Sequence, residues 1–253
     1  MIPNSNAYAI LRDKSQEFLD FVVLSCTAVP TLTKQIHVAG VGGISPDHFK
    51  GSPDATQLLS YAAVYQESLA RMIVITLFSY FEAYVKGLLI EIVNFHGGAT
   101  TFQATADKRA KAFVANSSQT IIDSKRKLQE PAKAAKIGSY KKYSAILVEE
   151  GFRFPSELLA PYGVKNLIQK AKPKGSKAFE IPELLRDALC FPLPVRDDAR
   201  INSIRETRNK IAHGKAGPIT LAEALTIGKD LRDIAAKVDK QAVEHFFVLE
   251  GFA

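Results

Sequence analysis

MIVITLFSYFEAYVKGLLIEIV, residues 72–93, is the most apolar stretch of the chain. Its length suits a bilayer span, which wants about 20 residues with few or no charges. Glu82, Lys86 and Glu91 fall inside it, however, and charges at positions 82 and 86 would be expensive in mid-membrane. Apolar residues on most faces, with a few charges among them, describe the most buried helix of a soluble bundle. The first residues, Met1–Asn6, lack the basic-then-apolar order of a signal peptide. A cytoplasmic location with no membrane partner is the expectation.

Helical character extends outward from this stretch. Ser52-Pro53-Asp54 reads as a helix start, a capping residue followed by proline in the first turn, and Gly97-Gly98 as the stop after Phe95. An earlier helix covers Ala7–Ala28 and is expected to end at Pro30, with the Gly- and Pro-rich segment Val38–Pro53 as a loop. The middle third, residues 100–177, is broken by Pro131, Gly138, Pro155, Pro161 and Pro173 and reads as short helices. Beyond it, Phe179–Cys190 looks helical, and Asp197 or Asp198 is placed to cap a helix through Ile201, Ile204 and Ile211. Thr220-Leu221-Ala222-Glu223 fits a capping box. It opens a final helix with Leu221, Leu225, Leu231, Ile234 and Val238 on its apolar stripe. Alternating β-branched runs are missing, so the fold class is all-α. Residues 1–99 and 178–253 are the two halves of a bundle, residues 100–177 a basic helical insertion, and the whole is one compact domain.

At 253 residues, 47% hydrophobic and 23% charged, the chain can bury a large core. Cys26 and Cys190 are its only cysteines and form no C-x-x-C, which argues for reduced, buried thiols and against a zinc site. The net charge of +7 is unevenly spread. Residues 103–142 carry ten Lys/Arg against three acids, and residues 165–177 five lysines and no acid, leaving −5 for the remainder. A basic region on a mildly acidic body suits attraction to a phosphate backbone, and Lys125, Arg126 and Lys127 are candidate RNA contacts. A solvated helical face with a lysine-rich linker accounts for the charge equally well. Phe102, Phe113, Tyr140 and Tyr143 lie within the basic region, but their spacing fits core packing better than base stacking.

The string that carries chemistry is Arg208-Asn209-Lys210-Ile211-Ala212-His213-Gly214. The bare Arg–His spacing is expected about 0.2 times by chance at this composition, the full string with Asn and Gly about 4 times in 10,000. Histidine, with an unperturbed pKa of about 6.5, serves as proton acceptor or donor near neutrality. Arginine stays charged, and its fork matches phosphate oxygens. Five helical residues turn about 500°, so Arg208 and His213 point about 140° apart on an unbroken helix. They converge only if the helix ends between them, or if two copies of the motif face each other across a dimer. The bland readings are an imidazole satisfying the last carbonyls of a helix and an Arg208 ion-paired to Glu206 or Asp233. His37, His48, His96 and His245 are scattered and read as surface or loop residues.

This string resembles the R-N-x-x-A-H-G form of the R-x(4–6)-H signature of the HEPN superfamily. Ser79-Tyr80-Phe81-Glu82-Ala83-Tyr84 resembles the F-x-x-x-E-a-y early-helix segment of its bacterial RiboL-PSP-HEPN-like group. The resemblance covers residues 60–95 and 179–238, with no match in the middle third. It implies a four-helix up-and-down bundle that dimerises, and a metal-independent endoribonuclease of a toxin–antitoxin or phage-defence type, using no cofactor. Arg208 and His213 are then the catalytic pair, supported by Asn209 and by the acidic Glu82. An antitoxin or a nucleotidyltransferase is the implied partner besides RNA. Two other readings stay open: a non-catalytic RNA- or nucleotide-binding HEPN protein, and a helical interaction scaffold.

Overall fold

The computed structural model describes residues 4–39, 54–111, 118–129, 146, 160–172 and 180–249. Four long helices make the frame: α1 (Asn6–Ala39), α2 (Ala55–Phe95), α7 (Val195–Ala212) and α8 (Leu221–His245). Between α2 and α7 come α3 (Gly98–Lys111), α4 (Gln119–Gln129), α5 (Ala160–Ala171) and α6, which is Ile181–Glu183 running into the π-helical turn Leu184–Ala188. No strand occurs among the described residues.

The stretch at 72–93 is the centre of the core. Ile73, Val74, Phe78, Phe81, Val85, Leu88, Leu89 and Ile92 are fully buried, on more than one face of α2, as they must be when α1, α5, α7 and α8 all pack on it. Side-chain contacts fix the directions. The Asn6 and Ala7 backbone N–H groups donate to Glu91 and Ser5 to Asp239, so α1 starts beside the C-terminal ends of α2 and α8 and runs antiparallel to both. Gly228 lies against Leu77, and the Tyr84 hydroxyl donates to the Ala235 carbonyl at 3.1 Å; the same seven-residue step on both helices sets α8 parallel to α2. Arg200 pairs with Asp230 at 2.6 Å and Lys237 with Asp197 at 2.8 Å, so α7 is antiparallel to α8. The order down, up, down, up is that of the up-and-down bundle.

The shorter helices close the flank. Val164 and Leu167 of α5 and Phe102 and Ala106 of α3 join the same core. Phe102 is thus core, as its spacing suggests, while Phe113, Tyr140 and Tyr143 lie outside the described residues. His96 is no surface residue: its ring stacks on Phe102 at 4.4 Å between centroids, and Nε2 bonds the Phe246 carbonyl at 2.7 Å. It joins the ends of α2, α3 and α8.

Several local readings need correction. Pro30 lies inside α1 rather than ending it, because Val22 and Ile36 are buried on either side of it and packing holds the helix through the missing hydrogen bond. The cap of α2 is Asp54, whose side chain accepts from Thr56 N at 2.8 Å; Ser52 and Pro53 lie outside the described residues. Asp197 and Asp198 do not cap α7, which starts after Pro194; they sit in its first turn and hold Lys237 and Arg186. Leu225 is 45% exposed instead of buried, since Ala224, Ile227 and Leu231 take the inward positions. Both thiols are half-buried, and Cys190 has φ 48° where the chain reverses after the π-helical turn. The Thr220–Glu223 capping box and the stop at Gly97 (φ 79°) are as expected.

Candidate functional site

The site forms where α7 ends. Ile201 and Ile204 are fully buried and anchor the helix, and Ile211 packs partly on the same core. Position 208 falls three residues before 211, four after 204 and seven after 201, on the inward stripe of α7. A positive side chain therefore stands where an apolar one belongs. The consequence is visible: Arg208 is half-buried, and its Nε is enclosed without a hydrogen-bond partner. Its Nη1 donates to the Asn209 side-chain oxygen at 3.1 Å. Among the described residues Arg208 makes no ion pair, so neither Glu206 nor Asp233 neutralises it. A half-buried guanidinium with an unspent Nε donor and, among the described residues, no carboxylate is the arrangement that an incoming anion completes.

α7 stops in a Schellman motif. His213 is the C-cap, Gly214 takes φ 66°, its N–H bonds the Ile211 carbonyl at 3.0 Å, and Lys215 N–H bonds the Lys210 carbonyl at 2.8 Å. Gly214 supplies the left-handed residue that this stop requires. The helix keeps its turn up to Ala212, so it does not end early enough to swing His213 towards Arg208. His213 is exposed, and its imidazole makes no hydrogen bond among the described residues, neither to the last carbonyls of α7 nor to Arg208.

Glu82 is not brought to this place. Thr207 and Ile211 share a cleft with Ala222, Thr226 and Ile227 of α8, and through the α8–α2 register that puts Arg208 level with the turn around Arg71. Glu82 lies eleven residues further along α2, about 16 Å, mostly covered and paired with Lys86 at 2.8 Å. The charges level with the motif are Glu67 and Arg71, joined at 2.6 Å. Arg71, like Arg208, has an enclosed Nε without a partner. The signal for them was present in sequence as the first two charges after the uncharged run 55–66. The cleft itself, about 520 Å³, opens between the end of α7 and the start of α8 beside the motif, with Lys210 on its wall.

Lys125, Arg126 and Lys127 lie in α4. Arg126 is exposed and meets Asp123 at 3.0 Å; the side chains of Lys125 and Lys127 lie outside the described ones. Among the described residues no three His, Cys, Asp or Glu side chains are grouped as a metal site. α2 is the single described helix long and apolar enough to cross a membrane, and half of its most apolar window is buried inside the bundle.

An up-and-down helical bundle with an arginine and a histidine at the end of its third long helix defines the class, an all-α domain on a four-helix frame. The chain belongs to one family within it: the RiboL-PSP-HEPN family model matches residues 52–244. The match runs continuously through the middle third, for which the sequence shows no resemblance by motif. No curated protein and no solved structure matches the chain.

Proposed function

We propose that this protein is an endoribonuclease whose active site is built from two copies of the α7 end, one from each subunit of a homodimer. The observation that carries the reading is the contrast within the motif: among the described residues, a half-buried Arg208 guanidinium has no acidic partner and an exposed His213 imidazole has no partner at all. Family membership supports an RNA-related role. In this reading RNA supplies the nucleophile. The His213 imidazole of one subunit takes the 2′-hydroxyl proton, the 2′-oxygen attacks phosphorus, and the bond to the 5′-oxygen breaks. The second subunit's imidazole returns a proton to that oxygen. Arg208, its fork steadied by Asn209, carries the negative charge that grows on the phosphoryl oxygens. The products are a 2′,3′-cyclic phosphate and a 5′-hydroxyl, and no metal takes part. Lys125, Arg126 and Lys127 draw the RNA backbone in. Glu82, held by Lys86, takes no part within its own chain.

The reaction suits a toxin of a toxin–antitoxin pair or a phage-defence effector, with an antitoxin or nucleotidyltransferase as its controlling partner, acting in the cytoplasm. The test is cleavage of a mixed-sequence RNA by purified protein in the presence of a chelator. Wild type should release fragments ending in 2′,3′-cyclic phosphate, and His213→Ala should abolish release, a loss of at least about 100-fold for removal of an acid–base group. Undiminished cleavage by His213→Ala defeats the catalytic reading. Salt-sensitive RNA binding without cleavage by wild type would replace it with a binding role.

A further inference from the structure

The cleft of about 520 Å³ between α7 and α8 borders the motif without containing its arginine or histidine. Its volume falls within the roughly 300–1,000 Å³ of small-molecule sites. Thr207, Lys210 and Ile211 of α7 line it, and so do residues 216–219, just after His213. Arg208 and His213 therefore stand in sequence between lining residues. The walls are largely apolar, from Ile211, Ile219, Ala222 and Ile227. The two threonine hydroxyls on them are already committed. Thr207 donates to the Ser203 carbonyl at 3.0 Å and Thr226 to the Ala222 carbonyl at 2.8 Å.

The charged side chains on the lining are Arg200, Lys210 and Glu223, of both signs. Arg200 spends its Nε on Asp230 at 2.6 Å. The Lys210 ammonium has no hydrogen bond or ion pair among the described residues. Glu223 accepts from the Thr220 N–H at 2.9 Å and from the Thr220 hydroxyl at 2.8 Å, both on Oε2. Its Oε1 is left without a partner among the described residues. Those hydrogen bonds, the backbone one first, hold the Glu223 carboxyl below 4.5, so it is a carboxylate near neutrality. With Asp230 beside Arg200, and Glu223 on the same lining as Lys210, the charges balance. The start of α8 is closed by its capping box, and a free phosphate there would meet the Glu223 carboxylate.

We infer that this cleft is a base site that takes guanine. Apolar walls with balanced charge suit a flat, uncharged ring. A carboxylate oxygen only accepts, so Glu223 calls for donors; an ammonium or guanidinium only donates, so Lys210 and Arg200 call for acceptors. Guanine carries both on one ring. Its N1–H and N2 amino group are adjacent donors for Glu223, and its O6 and N7 are acceptors for Lys210 and Arg200. The other bases match less well. Adenine and cytosine each set a ring-nitrogen acceptor beside the amino group and turn its lone pair on the carboxylate, and uracil offers one N–H between two carbonyl oxygens. The position beside Arg208 and His213 makes a guanine of RNA the ligand, a choice that rests on the endoribonuclease reading. A free guanosine nucleotide presents the same ring.

The test titrates the full-length protein calorimetrically with the four nucleoside 5′-monophosphates and sequences the ends of the RNA fragments it releases. Wild type should bind guanosine monophosphate at least about tenfold more tightly than the other three. Glu223→Gln keeps the capping box, which glutamine forms as glutamate does, but puts an amide N–H where Oε1 stood. The preference should then fall to within about threefold, with an unchanged helical circular dichroism spectrum. Lys210→Gln, at an exposed position away from the cap, should weaken guanosine monophosphate binding about tenfold. Four nucleotides bound alike with fragment ends of mixed sequence, or a guanine preference that survives Glu223→Gln, overturns the proposal. Fragment ends rich in guanine from wild type, and not from Glu223→Gln, uphold both the cleft and the nuclease. Selective titration with ends of mixed sequence upholds the cleft and makes a free nucleotide its ligand. Selective titration by a protein that releases no fragments upholds the cleft and overturns the endoribonuclease reading.

Discussion

A mixing experiment puts the composite site to its sharpest test. α7 keeps its turn to Ala212, with His213 as C-cap, so Arg208 and His213 are offset by about 140° and about 7.5 Å along the axis. On a helix about 11 Å across with its side chains, the two tips lie about 13 Å apart. Two groups that each reach a different oxygen of one phosphate group within hydrogen-bond distance, about 3 Å each with about 3 Å between the oxygens, stand no more than about 9 Å apart. One chain thus falls short by about 4 Å, a gap that the proposed second α7 end would close. If each active site needs an imidazole from both subunits, His213→Ala acts as a poison. At roughly a ninefold excess of His213→Ala over wild type, with subunits exchanged, about one wild-type chain in ten finds a wild-type partner. Cleavage per wild-type chain should then fall about tenfold. The assay is release of a quenched fluorophore from a short RNA, with exchange verified by differently tagged subunits. Unchanged activity per wild-type chain, with exchange complete, refutes the composite site and returns catalysis to the single chain.

Other expectations follow from particular contacts. A Cβ on Gly228 would lie 2.5 Å from Leu77 Cδ1, and Leu77 is itself buried. In Gly228→Ala the gain of about 1 kcal/mol in helix propensity should be outweighed by about 1–3 kcal/mol of overpacking. Gly87→Ala meets only Ala7 Cβ at 3.5 Å and should stabilise by about 0.5–1 kcal/mol, so the two variants should shift the melting temperature in opposite directions. Asp239, buried beneath Ser5, has its pKa raised above 3.8, chiefly by burial and against the hydrogen bonds from Ser5. A raised folded-state value contributes stability that is present at low pH and lost as pH rises through it. Wild type should therefore gain on Asp239→Asn as pH falls from about 7 towards 4.5; urea midpoints that keep a constant difference would contradict this. Reversing the charges of Lys125, Arg126 and Lys127 should weaken RNA binding and lower the slope of log K against log salt by about 2, as expected for three lost contacts to single-stranded RNA. Unaltered binding would remove α4 from the RNA path.

Features decided within a few residues were readable in sequence. The capping box at Thr220–Glu223, the stop at Gly97 and the inward faces of α2 need only local periodicity and turn chemistry, and they stand as read. Pro30 misled because proline's cost is local whereas its compensation is tertiary: Ile36, beyond it, is buried on the bundle. Asp197 and Asp198 have the residue type of caps, but Lys237 and Arg186, distant in sequence, claim them as ion-pair partners. Leu225 has the spacing of a core residue on a helix whose inward face lies one position away, at Ala224.

The site shows the same division. Arg208 at a core position is a local fact, found by counting from Ile201 and Ile204. Which acid or cation of α2 lies beside it depends on the direction in which α8 passes α2, and periodicity is blind to direction. The parallel course puts Glu67 and Arg71 level with the motif and leaves Glu82 eleven residues further along α2 than Arg71. The same register sets the uncharged residues 55–66 of α2 beyond the start of α8, at the end of the bundle where Arg208 and His213 lie. Arg208 and His213 thus diverge on a helix that keeps its turn, and a second α7 end is what the proposed two-subunit site adds to the single chain.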